Sequence, residues 1–230
     1  MTAPADELSR VVARYWGYTS LRPLQREAMD AVVAGQDSVV VLPTGGGKSL
    51  CFQAPALVRD GLAVVVSPLI SLMKDQVDTL VGNGVPAGLY NSSLASEEKS
   101  AVIAGLRERR YRLLYVSPER LVGDGGDGFV AMLASCGVSF VAVDEAHCIS
   151  QWGHDFRPEY RQLGTLRDQF SGASFHAFTA TATALSNGAA RYVLVIPSPT
   201  TALKRSRSCL CPASQSPRIL TLARLPTLGF

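Results

Sequence analysis

The 230-residue sequence has no apolar run near the roughly 18 to 20 residues that a membrane-spanning helix needs. Its N-terminus, Met1-Thr2-Ala3-Pro4-Ala5-Asp6-Glu7, has no basic segment leading into an apolar one, so no secretory signal is expected. No C-x-x-C pair occurs. The five cysteines, Cys51, Cys136, Cys148, Cys209 and Cys211, are odd in number and irregular in spacing, which argues against a disulfide framework and against the common zinc sites. Strong charge is missing too. The formal net charge of +3 comes from the last 34 residues, where Lys204, Arg205, Arg207, Arg218 and Arg224 meet no acid. Without those five, 17 basic residues face 19 acidic ones, so residues 1–196 carry a net −2 and charge alone gives no warrant for nucleic-acid binding. With 47% hydrophobic residues, the chain reads as a soluble intracellular domain with ample material for a core.

Short apolar runs alternate with amphipathic stretches. Val39-Val40-Val41-Leu42, Leu62-Ala63-Val64-Val65-Val66, Leu113-Leu114-Tyr115-Val116, Phe140-Val141-Ala142-Val143 and Phe175-His176-Ala177-Phe178 read as strands buried on both faces, with a weaker strand near 88–90. Helices are expected near 48–59, 69–81, 95–109 and 159–170. This alternation predicts an α/β fold, a mainly parallel sheet flanked by helices. Gly123-Asp124-Gly125-Gly126-Asp127-Gly128 reads as a plain turn, since it lacks the ligand ladder of a calcium loop. Residues 197–230 hold five prolines, five serines and no acid, and are expected to be a disordered tail beyond a domain at 1–196.

The strand at 39–42 runs into Pro43-Thr44-Gly45-Gly46-Gly47-Lys48-Ser49 and then a helix. Glycines let backbone N–H groups turn inward, and a helix N-terminus favours an anion. Thr44, Gly45, Gly46, Gly47, Lys48 and Ser49 are therefore expected to cradle a nucleotide, with Lys48 on the β- and γ-phosphates and the Ser49 hydroxyl on Mg²⁺. Leu42 stands where the strict phosphate-loop pattern has glycine, so the match is to the looser form x-x-T-G-x-G-K-S. About a hundred residues on, the strand at 140–143 ends in Asp144-Glu145-Ala146-His147. Carboxylates at the end of a parallel strand face the crevice where ligands bind. Asp144 is expected to hold Mg²⁺ from its outer coordination sphere, and Glu145 to orient or deprotonate an attacking water. The pair of motifs points to a nucleoside triphosphatase.

Further segments resemble the RecQ family of helicases. Leu21-Arg22-Pro23-Leu24-Gln25 is similar to that family's adenine motif F-R-x-x-Q, with Leu21 in place of Phe and Tyr18 at the position of its stacking aromatic. Ser67-Pro68-Leu69-Ile70-Ser71-Leu72-Met73-Lys74-Asp75-Gln76-Val77 resembles motif Ia, and Val116-Ser117-Pro118-Glu119-Arg120-Leu121 resembles motif Ib. Residues 146–160, AHCISQWGHDFRPEY, resemble the aromatic-rich loop of these enzymes, and Phe178-Thr179-Ala180-Thr181-Ala182 resembles motif III. The spacing of His147, Cys148 and His154 fits no common zinc signature.

The resemblance covers roughly residues 10–184 and implies the first RecA-like lobe, of DEAH-box type, of an ATP-dependent DNA helicase moving 3′ to 5′ in repair and recombination. It implies ATP and Mg²⁺ as cofactors, with Tyr18, Arg22 and Gln25 at the base. It implies single-stranded or partly duplex DNA as partner, and a location in the cytoplasm on the chromosome. His147, Gln151, Trp152, Phe156, Arg157, Thr179 and Thr181 would contact DNA or couple that contact to hydrolysis. A second RecA-like lobe with its arginine finger is not represented, so the expectation is a truncated chain, weakly active or inactive alone, with a tail that reads like a shifted frame. The alternative is a module that binds ATP and single-stranded DNA without productive turnover, or a non-functional product.

Overall fold

The computed structural model describes residues 4–123, 126–149 and 157–180, with the backbone of two further strands at 192–195 and 218–221. The strands are β1 (Ser38–Val41), β2 (Leu62–Val66), β3 (Ala87–Tyr90), β4 (Leu113–Val116), β5 (Val138–Val143), β6 (Ser174–Thr179), β7 (Tyr192–Val195) and β8 (Arg218–Thr221). They form one sheet in the order β3-β4-β2-β5-β6-β1-β7-β8. The first six are mutually parallel; β7 runs antiparallel to β1, and β8 parallel to β7. Each strand expected from its apolar run is present within two residues of the expected bounds. Of residues 197–230, only Arg218–Thr221 lies within the described residues.

Alternation along the strands explains why the runs are continuously apolar. Ala63 and Val65 of β2, Leu113 and Tyr115 of β4, and Phe140 and Ala142 of β5 enter one core. Their neighbours Val64, Val66, Leu114, Val116, Val141 and Val143 enter a second core on the opposite face. With helices on both faces every position of β2 and β4 is buried, and each large side chain contributes roughly 1.5–3 kcal/mol.

The helices are α1 (Pro4–Trp16), α2 (Gln25–Val33), α3 (Leu50–Gln53), α4 (Pro55–Val58), α5 (Ile70–Gly82), α6 (Ser96–Arg107), α7 (Glu119–Val122), α8 (Gly126–Ser135), α9 (Pro158–Gln162) and α10 (Leu166–Gln169). The helix expected over 48–59 is divided into α3 and α4. Pro55 has no N–H to donate, although Ala54 keeps helical dihedrals of φ −67° and ψ −46°. The helix expected over 159–170 is divided by a 3₁₀ turn at Leu163–Thr165. The expected turn over 123–128 is corrected by α8, which starts at Gly126 because Phe129, Val130 and Leu133 are buried, an apolar gain that outweighs glycine's poor helix propensity. Among the described residues, no helix is long and apolar enough to cross a membrane.

Candidate functional site

The loops after β1, β6 and β5 leave the same edge of the sheet because these neighbouring strands are parallel. Leu42 N–H donates to Thr179 C=O at 3.1 Å, holding the start of the glycine loop to the end of β6. Gly45 and Gly47 have φ of 73° and 77°, which side chains rarely tolerate. A Cβ on Gly46 would lie 2.7 Å from Pro43 O, and one on Gly47 would lie 2.2 Å from Gln25 Nε2. Gly45 and Gly47 are thus required by backbone conformation and Gly46 by close approach to backbone, while a side chain at Gly47 would also displace the Gln25 amide. Lys48 Nζ lies 3.5 Å from Leu42 O, arched back over the loop. Gln53 N–H donates to Ser49 O at 2.9 Å, so α3 follows directly on Ser49. Thr44 is exposed and Ser49 half-buried.

Arg22 and Gln25 converge on this loop. Gln25 is only 4% exposed, so its amide needs partners inside the chain. Its Oε1 accepts from Arg22 N–H at 2.7 Å, and its Nε2 lies within donating distance of Gly46 O and Gly47 O at 3.2 and 3.3 Å. The Arg22 guanidinium donates to Gly45 O. The Gln25 amide therefore faces the glycine loop, and contact with a base would require it to exchange one of these bonds. Tyr18 is 54% exposed and borders a cleft of about 540 Å³ between α1 and the segment 18–21, together with Ser9, Ser20 and Arg26.

Asp144 continues the ladder at the end of β5, with its N–H donating to Val66 O at 2.8 Å. Its side chain is 3% exposed and accepts from Glu145 N–H at 3.0 Å. Burial, followed by the Glu145 charge, pushes its carboxyl up to about 6, against the pull of that N–H and of the Lys48 charge. Glu145 has φ 47°, a left-handed conformation that costs a non-glycine residue about 1–3 kcal/mol. Its Oε2 lies 3.2 Å from His147 Nδ1, which in turn lies 3.3 Å from Thr179 Oγ1. Glu145, His147 and Thr179 are thus brought together. Tyr160 OH donates to Asp144 O at 3.1 Å, and Arg157 N–H to Cys148 O at 3.1 Å. Arg157 is therefore returned to the foot of the loop that starts at Asp144. Gln151, Trp152, Phe156 and Thr181 lie outside the described residues.

Two serines of the stretches similar to motifs Ia and Ib stand out by their surroundings. Ser67 and Ser117 end β2 and β4, are buried, and have hydroxyls without a hydrogen-bond partner. Buried polar groups are rarely left unmet, so such a pair marks a place for a ligand or water. The available signal was two Ser-Pro steps, each directly after a buried strand.

The sequence profile of the DEAD/DEAH box helicases matches residues 22–187. The chain is 53% identical over 172 residues to the ATP-dependent DNA helicase RecQ of Pasteurella multocida, a match covering 75% of this chain and 27% of that protein. It is 47% identical over 175 residues to the RecQ helicase of Bacillus subtilis, covering 75% of this chain and 29% of the relative. The chain thus spans little more than a quarter of the length of these relatives. Among solved structures, the helicase MrfA bound to DNA superposes with a TM-score of 0.61 at 18% identity, covering 90% of this chain and 34% of that one. The Mycobacterium smegmatis helicase Lhr bound to single-stranded DNA and AMP-PNP gives 0.59 at 20%, covering 79% and 26%. At such identities the superpositions establish the fold alone.

Proposed function

Because the chain belongs to the DEAD/DEAH box helicase family, we propose that it is the nucleotide-binding lobe of a RecQ-like, ATP-dependent DNA motor. The observation that carries this reading is the meeting of two elements at one sheet edge: a glycine loop bearing Lys48 and Ser49, and the buried Asp144, whose acidity the Lys48 charge affects. The donor set fits a nucleotide with its cation. Gly45, Gly46 and Gly47 would turn backbone N–H groups toward phosphate, Thr44 and Lys48 would flank it, and Ser49 with Asp144 would hold Mg²⁺. Mg²⁺, when bound, supplies charge neutralisation on the phosphates. Tyr18, Arg22 and Gln25 would hold the base. Glu145, braced by His147, would orient the attacking water, and the His147–Thr179 contact would relay changes at that carboxylate to the end of β6.

The DNA-facing part of the proposal rests on the resemblance of residues 146–160 and on the names of the relatives. Trp152 and Phe156 offer stacking faces, while Gln151, Arg157 and Thr181 would support strand contact and coupling. Repair and recombination, 3′-to-5′ movement and a place on the chromosome belong to this same reading. A complete motor of this kind closes two RecA-like lobes around ATP, and the second supplies an arginine finger worth roughly 10³–10⁵ in rate. The 230 residues alone should therefore bind ATP and single-stranded DNA, turn over very slowly and separate no strands.

The test is ATP turnover with and without single-stranded oligothymidylate, beside strand separation on partial duplexes with 3′ or 5′ overhangs. Slow turnover that rises when a separately expressed second lobe is mixed in supports the reading. Robust strand separation by the chain alone would overturn it.

A further inference from the structure

Three polar side chains from three elements meet beneath the sheet edge, one of them, Gln76, in the stretch similar to motif Ia. Gln53 is the last residue of α3, Tyr115 lies in β4, and Gln76 lies in the middle of α5. Gln53 Nε2 donates to Tyr115 Oη at 2.8 Å. Tyr115 O–H donates to Gln76 Oε1 at 2.7 Å, and Gln53 Nε2 also lies 3.4 Å from Gln76 Oε1. The three bonds close a triangle. Tyr115 has no exposure and Gln53 only 6%, so water cannot replace a lost partner at the centre.

The placement gives this triangle a consequence beyond packing. Gln53 is joined through its backbone N–H to Ser49 O at 2.9 Å, one helical turn from the glycine loop. Gln76 belongs to the helix that starts two residues after Pro68 and so carries the loop following β2. Tyr115 is two residues before Ser117, at the loop following β4, and Ser67 and Ser117 keep their buried hydroxyls unpartnered there. Around the triangle, Phe52 packs edge-on to Phe178 with ring centroids 5.0 Å apart, and its ring lies 6.5 Å from that of Tyr115. A displacement of α3 thus has a short, rigid and directional route to both loops. Close-packed interiors transmit such displacements rather than absorb them.

We propose that Gln53, Tyr115 and Gln76 form a positioning triad that couples occupancy of the nucleotide site to affinity for single-stranded nucleic acid at the loops after β2 and β4. The inference rests on the proposed nucleotide site and deepens it by naming a route for regulation. Coupling between sites is reciprocal and commonly amounts to roughly 5–150-fold in affinity.

The experiment uses the whole 230-residue chain, a fluorescent non-hydrolysable ATP analogue with Mg²⁺, and oligothymidylate. Nucleotide affinity is measured with and without saturating oligonucleotide in wild type, Tyr115→Phe, Gln76→Leu and Gln76→Glu, each checked by a thermal melt. In wild type the oligonucleotide should change nucleotide affinity by about fivefold or more. In Tyr115→Phe and Gln76→Leu that ratio should fall toward one, while each ligand measured alone stays within about twofold of wild type. Gln76→Glu keeps an acceptor oxygen for the Tyr115 hydroxyl and should retain the ratio. A merely structural role would lower the melt of these variants without altering the ratio, and that result overturns the proposal. A wild type that binds both ligands without coupling overturns the triad alone. A wild type that binds no nucleotide overturns the nucleotide site, and the coupling with it.

Discussion

The two edges of the sheet treat buried polar groups in opposite ways, although the same strands run between them. At the amino edge, His176 is wholly buried, with Nδ1 2.8 Å from Ser38 Oγ and Nε2 2.8 Å from Ser174 Oγ. A neutral imidazole needs one donor and one acceptor, and two hydroxyls satisfy either tautomer. Arg59 donates to Ser174 Oγ at 2.7 Å and to Val32 O at 2.8 Å, and Asp37 accepts from Phe175 N–H at 2.8 Å and from Arg167 at 2.7 Å. At the carboxyl edge, Ser67 and Ser117 are buried without partners, Glu145 holds a left-handed backbone and Asp144 is kept out of water. Among the described residues, unmet buried side-chain polarity gathers at the carboxyl edge, whereas left-handed non-glycine backbone occurs at both, Arg109 before β4 having φ 54°.

The contrast breaks most readily at His176. His176→Ala removes a ring, orphans the Ser38 hydroxyl and leaves Ser174 Oγ only its bond from Arg59, and should cost about 3 kcal/mol in denaturant unfolding at neutral pH. It should leave nucleotide affinity unchanged, and a loss of affinity at full stability would reverse the assignment of the edges. Lys48→Ala should do the converse. Unliganded stability should stay within about 0.5 kcal/mol, while the roughly 2.7 kcal/mol gained from Mg-ATP at a hundred times its Kd should vanish.

Acid sharpens the comparison because the two edges respond with opposite sign. Burial first, then the charges of Arg59 and Arg167, lower His176 from 6.5 to about 3. Its contribution is therefore complete above pH 6.5 and is lost as pH falls toward 3. Asp144 is raised from 3.8 to about 6, so the penalty for its buried charge is complete above pH 6 and disappears below about pH 4. Asp144→Asn should accordingly stabilise the unliganded chain by about 2 kcal/mol at pH 7.5 and by almost nothing at pH 4. Equal gains at both pH values would show that its carboxylate is not the source. The smallest effect is expected at Gln25. ATP should be preferred to GTP by about 1 kcal/mol in wild type and by less in Gln25→Ala, measured by competition. Equal affinities in wild type would remove Gln25 from base recognition.

The strands and the loops that carry the glycines and Asp144-Glu145 were legible in the sequence because their signals are local. A buried parallel strand needs a continuous apolar run, and 62–66 and 113–116 match β2 and β4 residue for residue. The glycine loop and Asp144-Glu145 stand out by spacing after such strands. Helix boundaries were less legible: Pro55 divides a helix whose apolar pattern carries on through it, and the apolar face of α8 overrides the glycines that read as a turn. α1 and α2 went unforeseen, since Leu8, Val12, Ala28, Met29 and Val32 are spaced among charged residues and gain their meaning only from the core they enter. The inward turn of Gln25, the φ of Glu145 and the unmet hydroxyls of Ser67 and Ser117 arise from tertiary placement, which no local pattern encodes.

The central claim is that the carboxyl edge of this sheet binds a nucleotide, and isothermal titration of Mg-ATP into the 230-residue chain tests it most directly. The account predicts saturable one-to-one binding that Lys48→Ala abolishes without lowering the melting temperature of the unliganded protein. Absence of saturable binding in a folded wild type, or binding that persists unchanged in Lys48→Ala, would contradict it.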